Sequence, residues 1–267
     1  MDDNSLLTLR NVVKRRTVGH GYSLTVDHFS VVPGRRLALI GDSGSGKSTL
    51  MDMLAMISKP DEADEFVFAP EDHDVSYDLK DIWRKRRYSV FEKLRRSELG
   101  YIMQTGGLLP FLSVADNISL PASLKRSISK AERKARLKAL TEEMGIGHLL
   151  KKLPSQISVG ERQRCAIARA LIHDPSLVLA DEPTASLDPP TADKIFRLLS
   201  EVCRDRALII STHERRRVVG NPDFEVWQIR CETKEEDQSI AACLTRFVDM
   251  TKKTQPSLAY PPSKSLH

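Results

Sequence analysis

Short apolar and β-branched runs at Leu6 to Val13 and Leu24 to Val31, followed by Arg36 to Ile40 behind the Pro33-Gly34 turn, predict a β-rich opening. Past Ile40 the period becomes helical from Lys47 through Leu50, Met53, Leu54 and Ile57, with a stop predicted near Lys59-Pro60. Glu65 to Ala69 reads as a short strand. Asp78 to Glu98 reads as partly helical without a clean apolar face, and Leu99 to Met103 as a strand leading to Gln104. Helices follow from Ser113 and from Ser129. There Ser129-Lys130-Ala131-Glu132 fits a capping box, Leu137, Leu140 and Met144 supply a stripe, and Gly145 suits the C-terminal cap. A helix over Gly160 to Ile172 precedes the strand Leu177 to Ala180. Asp188 caps the next helix, with Pro189 and Pro190 in its first turn and Ile195, Leu198, Leu199 and Val202 facing inward, and Ala207 to Ser211 is the next buried strand. Ile240, Leu244, Phe247 and Val248 return at helical spacing, predicting an amphipathic helix over Glu235 to Met250 that packs on its own domain. The tail beyond it, with Tyr260-Pro261-Pro262, is predicted disordered. Strand and helix alternating on either side of an all-helical stretch predict an α/β fold with a mostly parallel sheet and a helical subdomain.

With 267 residues the chain can bury a full core. Its cysteines, Cys165, Cys203, Cys231 and Cys243, have neither C-x-x-C nor Cys/His spacing, so reduced thiols in a cytosolic setting are expected and a structural zinc site is not. The acidic start Met1-Asp2-Asp3-Asn4 and the lack of a long apolar run argue against a signal peptide or a membrane span, leaving any membrane role to a partner. The net charge of +5 is unevenly spread: Asp61 to Leu79 carries eight acidic residues and no Lys or Arg, whereas Lys80 to Arg96 carries eight basic and two acidic ones. Neighbouring blocks of opposite sign are expected to neutralise each other, which ranks a solvated insertion above a nucleic-acid groove, so no nucleic-acid partner is expected. Anionic lipid headgroups are a lesser alternative for Arg84-Lys85-Arg86-Arg87.

Gly41-Asp42-Ser43-Gly44-Ser45-Gly46-Lys47-Ser48-Thr49 stands between the apolar strand Leu37 to Ile40 and the first helix. Gly, four free positions and Gly-Lys-Ser form the phosphate-loop pattern: glycines let backbone N–H groups close on phosphate oxygens where a helix begins. Lys47 would reach the β- and γ-phosphates and the Ser48 hydroxyl would ligate Mg²⁺. Kinases, GTPases, helicases and transport ATPases all use such a loop. The second half of the chain narrows the choice, because Leu177 to Ala180 runs into Asp181-Glu182, an apolar strand ending in two carboxylates as a Walker B strand does. Asp181 would hold Mg²⁺ through water, and Glu182 would polarise the water that attacks the γ-phosphate. The Asn/Thr-Lys-x-Asp motif expected of a GTPase is absent from the sequence.

Several further motifs occur in order: Gln104 after Gly100-Tyr101-Ile102-Met103, then Ile157-Ser158-Val159-Gly160-Glu161-Arg162-Gln163-Arg164, Ser186-Leu187-Asp188, and Ser211-Thr212-His213-Glu214. With them the chain resembles the ATP-binding subunits of ABC transporters over roughly residues 5 to 230, most closely the lipoprotein-releasing and macrolide-exporting group. The resemblance implies a P-loop NTPase core with an N-terminal antiparallel β subdomain, an ATPase domain over residues 1–230 with a helical subdomain near 105–158 and a charged insertion near 61–96, and an extension over 231–267. It implies a head-to-tail dimer, with itself or a paired ATPase subunit, in which ATP lies between one phosphate loop and Ser158, Gly160 and Glu161 of the other copy, with Asp188 in the D-loop. His213 would contact the γ-phosphate, and Gln104 would sense Mg²⁺ and the attacking water. Polytopic permease subunits would hold the protein on the cytoplasmic face of the inner membrane; the alternative is a related ATPase acting as a mechanical switch or scaffold.

Three positions depart from the family pattern. Val159 replaces the first signature glycine, with a Cβ and bulk that glycine lacks. The adenine-stacking aromatic is expected near Arg16, where an arginine plane or Tyr22 could substitute. Lys47 and Gln104 are 57 positions apart, longer than usual, which points to extra residues within Asp61 to Arg96.

Overall fold

The computed structural model describes residues 5–16, 21–70, 75–125, 127–233 and 239–247. In chain order the regular elements are β1 (Leu7–Arg16), β2 (Tyr22–Val31), β3 (Arg36–Ile40), α1 (Lys47–Leu54), β4 (Glu65–Phe68), β5 (Tyr77–Asp78), α2 (Leu79–Arg84), α3 (Tyr88–Glu98), β6 (Leu99–Ile102), α4 (Val114–Leu124), α5 (Lys130–Glu143), α6 (Val159–Leu171), β7 (Leu177–Asp181), α7 (Pro189–Val202), β8 (Ala207–Thr212), β9 (Glu225–Thr233) and β10 (Ile240–Arg246). The strands join in one sheet in the order β5-β4-β1-β2-β10-β9-β3-β8-β7-β6. From β9 to β6 each neighbour is parallel, whereas β1, β2, β4 and β5 pair antiparallel.

Residue parity divides the core into two layers. Leu37, Leu39, Leu177, Leu179 and Ile209 join one apolar cluster, while Ala38, Ile40, Val178, Ala180, Leu208 and Ile210 join another. A sheet covered on both faces has strands that are apolar throughout, which is why β3, β7 and β8 read as unbroken hydrophobic runs. The first layer holds α1, α2 and α3 with the antiparallel strands. The second holds the helical subdomain, in which α4 and α5 pack with α6.

Four expectations change. The C-terminal stretch is a strand, not a helix: β10 runs parallel to β2 and antiparallel to β9, burying Ala242 and Leu244 two residues apart. Strand pairing on both sides satisfies its backbone and closes the gap between the two halves of the sheet, which outweighs the helical spacing of Ile240 and Leu244. The described residues up to Arg246 are therefore part of the same sheet as β9, which itself crosses residue 230. Next, α1 ends at Leu54, where Met56 takes a left-handed backbone (φ 58) and the amides of Ile57 and Ser58 bond back to Asp52, leaving Ile57 exposed. The box at Ser129 has one arm only: Ser129 Oγ accepts from Glu132 N, and the Glu132 carboxylate pairs with Arg136. Finally, the charged insertion is not faceless. Ile82, Trp83, Phe91 and Leu94 are buried, with Trp83 stacked between Phe66 (5.6 Å) and Phe91 (4.5 Å). Of its described acidic residues, three turn to β1, where Glu65 pairs with Arg10, Asp61 with Lys14 and Glu62 with Arg15, while Asp81 pairs with Arg84 and Lys85.

The predicted disordered tail lies outside the described residues.

Candidate active site

Gly41 to Gly46 form the turn from β3 into α1, and the geometry there demands glycine. A Cβ on Gly41 would lie 2.5 Å from Ser45 Oγ and 3.1 Å from the Ile229 carbonyl. Gly46 has φ 103, and a Cβ there would lie 1.6 Å from the Tyr22 hydroxyl. The loop wraps the Lys47 ammonium, which donates to the carbonyls of Gly41 (2.9 Å) and Asp42 (3.0 Å) and is 5% exposed. Ser45 Oγ is buried in the same loop without a protein hydrogen-bond partner. Thr49 is buried beneath the loop, and Asp42, Ser43, Gly44 and Ser48 are exposed on its rim.

β7 and β8 deliver the opposing charge. Register pairs Asp181 with Ser211, whose hydroxyl donates to the Asp181 carboxylate. The backbone then turns sharply: Glu182 has φ 44, and its N–H is held by Ser211 Oγ (3.0 Å) and Ser211 O (3.1 Å). A left-handed glutamate costs about 1–2 kcal/mol, offset here by those bonds. The turn aims the carboxylate across the site, with Oε1 3.3 Å from Lys47 Nζ and Oε2 3.1 Å from His213 Nδ1. Lys47, Glu182 and His213, from three distant parts of the chain, thus form one contact group. Behind His213, Thr212 Oγ1 accepts from Glu214 N, and Arg217 bridges Glu214 to Asp193 of α7. Burial pushes the Glu214 carboxyl up, but the bonds and charges of Arg217 and Arg216 outweigh it and hold the group below its usual range. Asp52, half-buried on α1, is raised by burial and by the charge of Asp181.

Gln104 is exposed just after β6, and among the described residues it has no hydrogen bond or ion pair. The loop that carries it is nevertheless braced from α6: Arg169 donates to the carbonyls of Gly107 (2.7 Å) and Gly106 (2.8 Å). The buried Asn117 side chain ties Leu109, Leu112 and Ser113 together through their backbones.

Ser158 caps α6 through a complete box: Ser158 N donates to Glu161 Oε2 (2.7 Å), and Glu161 N donates to Ser158 Oγ (3.2 Å). These Ser158 bonds hold the Glu161 carboxyl below its usual range. Val159 sits in the first turn with an ordinary helical backbone and a 43% exposed side chain, so the backbone at this position does not require glycine. Gly160 lies against α7, where a Cβ would come within 3.0 Å of Thr191 Cγ2. Among the described residues no hydrogen bond or ion pair joins Ser158, Gly160 or Glu161 to the phosphate loop of the same chain. Asp188 caps α7 by accepting from Thr191 N (3.0 Å), which holds its carboxyl low. Arg16 and Tyr22 are register partners beside the loop. Arg16 is exposed, whereas the Tyr22 hydroxyl donates to the Ser45 carbonyl (2.8 Å), tying it to the phosphate loop.

The residues expected at a Mg²⁺ site offer only hard oxygens: the exposed Ser48 hydroxyl, the Gln104 amide, and an Asp181 carboxylate oriented by Ser211. Mg²⁺ favours such donors when substrate phosphates and water complete its shell. The sequence singled out Ser211 only as the first residue of the Ser211-Thr212-His213-Glu214 motif and gave no part to Arg169, Asn117 or Asp52. Ser211 alone carried a signal, as the strand residue opposite Asp181.

The sequence profile of the family described as ABC transporter matches residues 24–185. The chain is 39% identical over 197 residues to the lipoprotein-releasing system ATP-binding protein LolD of Shewanella denitrificans, covering 73% of this chain and 77% of that protein. The namesake from Pseudomonas syringae pv. tomato is 37% identical and covers 80% and 91%. Among solved structures, a dimeric ATP-binding cassette in a post-hydrolysis state with ADP and Pi superposes with a TM-score of 0.64 at 28% identity, covering 79% of this chain and 89% of that one. CbiO1 of Clostridium perfringens, part of the transporter complex cbiONQ, gives 0.69 at 25% identity, covering 89% and 87%.

Proposed function

The chain belongs to the ATP-binding subunits of ABC transporters and is an ATPase of that family; from that premise we propose that it works as one half of a head-to-tail pair, hydrolysing MgATP on the cytoplasmic face of the inner membrane to drive a polytopic permease of the lipoprotein-releasing type. The observation that carries the reading is the contact group of Lys47, Glu182 and His213 at the mouth of the phosphate loop.

Lys47 is shared between two loop carbonyls and Glu182. An incoming γ-phosphate offers the ammonium a denser negative charge, so Lys47 transfers to it and the Glu182 carboxylate is released toward the attacking water. His213, already on Glu182, would contact the γ-phosphate. Ser48, Asp181 and Gln104 would hold Mg²⁺, which supplies charge neutralisation at the β- and γ-oxygens. The second wall of the site comes from the other copy, where Ser158, Gly160 and Glu161 begin a helix whose positive end suits the γ-phosphate. Its support is that these residues are exposed or half-exposed and, among the described residues, bond within their own cap, apart from a 3.8 Å contact of Glu161 with His148. Arg16 and Tyr22 beside the loop are the candidates to meet adenine, Arg16 through its open guanidinium plane.

Support for permease docking is an apolar groove of 560 Å³ beside the Gln104 loop, lined by Leu99, Leu109, Leu120, Pro121 and Leu124 with Arg95 and Arg96 on its rim. No helix among the described residues is long and apolar enough to cross a membrane. The test is affinity purification of the full chain from detergent-solubilised membranes, followed by a MgATPase assay. A polytopic protein should co-purify, and turnover should rise with the square of protein concentration where the dimer is sparse. Recovery with soluble proteins alone would overturn the transport reading, and no turnover at any concentration would overturn the catalytic assignment.

A further inference from the structure

Among the described residues the basic half of the charged insertion has few of its expected neutralising partners. Asp61, Glu62 and Glu65 are committed to Lys14, Arg15 and Arg10 on β1, and Asp64 bonds to Asn11, so none of them reaches the turn between α2 and α3. At that turn Arg84, Lys85, Arg86, Arg87, Tyr88 and Ser89 are all exposed. Among the described residues Asp81 alone pairs with this run, meeting Arg84 and Lys85. Arg86 and Arg87 have no ion-pair partner among the described residues, and Arg86 takes a left-handed backbone (φ 54) at the apex, so the cations sit on a convex tip.

The position of the tip is as informative as its charge. α2 and α3 are locked to the sheet by the Trp83 stack, so the tip is presented rigidly. Glu92, Arg95 and Arg96 of α3 line the apolar groove, and Glu92 is about 7.5 Å along the helix from Arg87. The cationic tip therefore stands less than two helical turns from the groove. A convex run of guanidinium groups with one exposed aromatic ring, Tyr88, lacks the concave track and stacking platforms that single-stranded nucleic acid requires. It suits a plane of diffuse negative charge, because juxtamembrane cations gain from the surface potential without needing a shaped pocket.

We propose that the α2–α3 tip is a docking surface for the anionic phospholipid headgroups of the membrane. The proposal rests on the reading of the groove as the permease-facing side, and it adds a lipid contact to the protein contact. The tip would orient the ATPase on the bilayer and raise the effective concentration of the groove at the permease, so that weak lipid affinity is amplified by a second attachment. The interaction is screened within about 8 Å at physiological salt, so it acts only when the face is already close to the membrane.

The test is flotation of the purified full chain with vesicles of phosphatidylglycerol and cardiolipin against vesicles of phosphatidylcholine alone, with MgATPase measured on the same protein. Wild type should float with the anionic vesicles only, and high salt should release it. Arg86→Gln with Arg87→Gln should weaken partitioning about 30-fold and leave basal ATPase unchanged, since both side chains are exposed and remote from the phosphate loop in sequence. A control pair, Lys252→Ala with Lys253→Ala, separates the tip from the basic tail and should bind as wild type does. Binding equal on neutral vesicles, absent from both kinds, unchanged by the arginine substitutions or lost only in the tail variant would overturn the proposal. Absent ATPase in wild type would instead overturn the catalytic reading, so the two failures are distinct.

Discussion

Glu182→Gln separates two jobs that one carboxylate performs. In the resting geometry that carboxylate is 3.3 Å from Lys47 Nζ and 3.1 Å from His213 Nδ1. At 3.3 Å and an effective dielectric of about 20, the Lys47 attraction is about 5 kcal/mol before solvent is counted. Two facts reduce what its loss delivers: the Glu182 side chain keeps 19% exposure, and Lys47 keeps the Gly41 and Asp42 carbonyls. A net gain of about 1–2 kcal/mol for the arriving triphosphate follows, or roughly 5- to 30-fold tighter ATP binding. Turnover should move the opposite way, falling about 10²- to 10⁴-fold because an amide cannot take the proton of the attacking water. Equilibrium titration with ATP, single-turnover hydrolysis and size-exclusion chromatography read the three consequences: tighter binding, slow chemistry and an accumulating ATP-bound dimer. A variant that binds ATP no more tightly would refute the competition between Glu182 and the γ-phosphate, and one that hydrolyses at the wild-type rate would refute Glu182 as the base.

Arg169→Ala removes both bonds that hold the Gly106 and Gly107 carbonyls, so kcat should fall at least about tenfold as the Gln104 loop loosens, with KM for ATP much less affected and partial rescue by Arg169→Lys; a KM effect with unchanged kcat would contradict a positioning role. His173 is 2% exposed, with Nε2 on the Leu99 carbonyl and Nδ1 unpartnered, and burial pushes its pKa down from 6.5 to about 4. Between those values the unfolded chain binds the extra proton and the folded chain does not. Its contribution is therefore whole above pH 6.5 and is lost as pH falls toward 4, by at most about 3 kcal/mol. Thermal melts across that window should show the slope in wild type and lose it in His173→Gln, and identical slopes would rule it out.

What the sequence made legible follows from where the physics is local. β3, β7 and β8 are buried on both faces, so their apolar runs survive any tertiary context, and the glycines of the phosphate loop answer to a backbone shape fixed within nine residues. A capping box is equally local, yet the sequence points to Ser129, where one arm forms, while the complete box is at Ser158 and Glu161. By contrast, Ile240 and Leu244 satisfy a helix and a strand equally well, and only the open edges of β2 and β9 decide between them. The apolar positions of α2 and α3 were hidden among charges because the helices are short: α2 buries Leu79, Ile82 and Trp83, and α3 buries only Phe91 and Leu94 among its apolar residues. The destination of the acidic block was out of local reach as well, since Asp61 and Glu62 meet Lys14 and Arg15 from more than 45 positions away.

That distinction bears on Val159. As a matter of backbone, valine is accommodated: the first turn of α6 is ordinary helix and needs no left-handed residue. The cap does not depend on it either, since Ser158 and Glu161 bond around it. What remains is a branched side chain, 43% exposed, standing between Ser158 and Gly160 on the surface through which a second copy would close. Its consequence is therefore steric and falls on the closed pair rather than on the folded monomer. This departure would thus fall on the half of the proposed site that the second copy supplies.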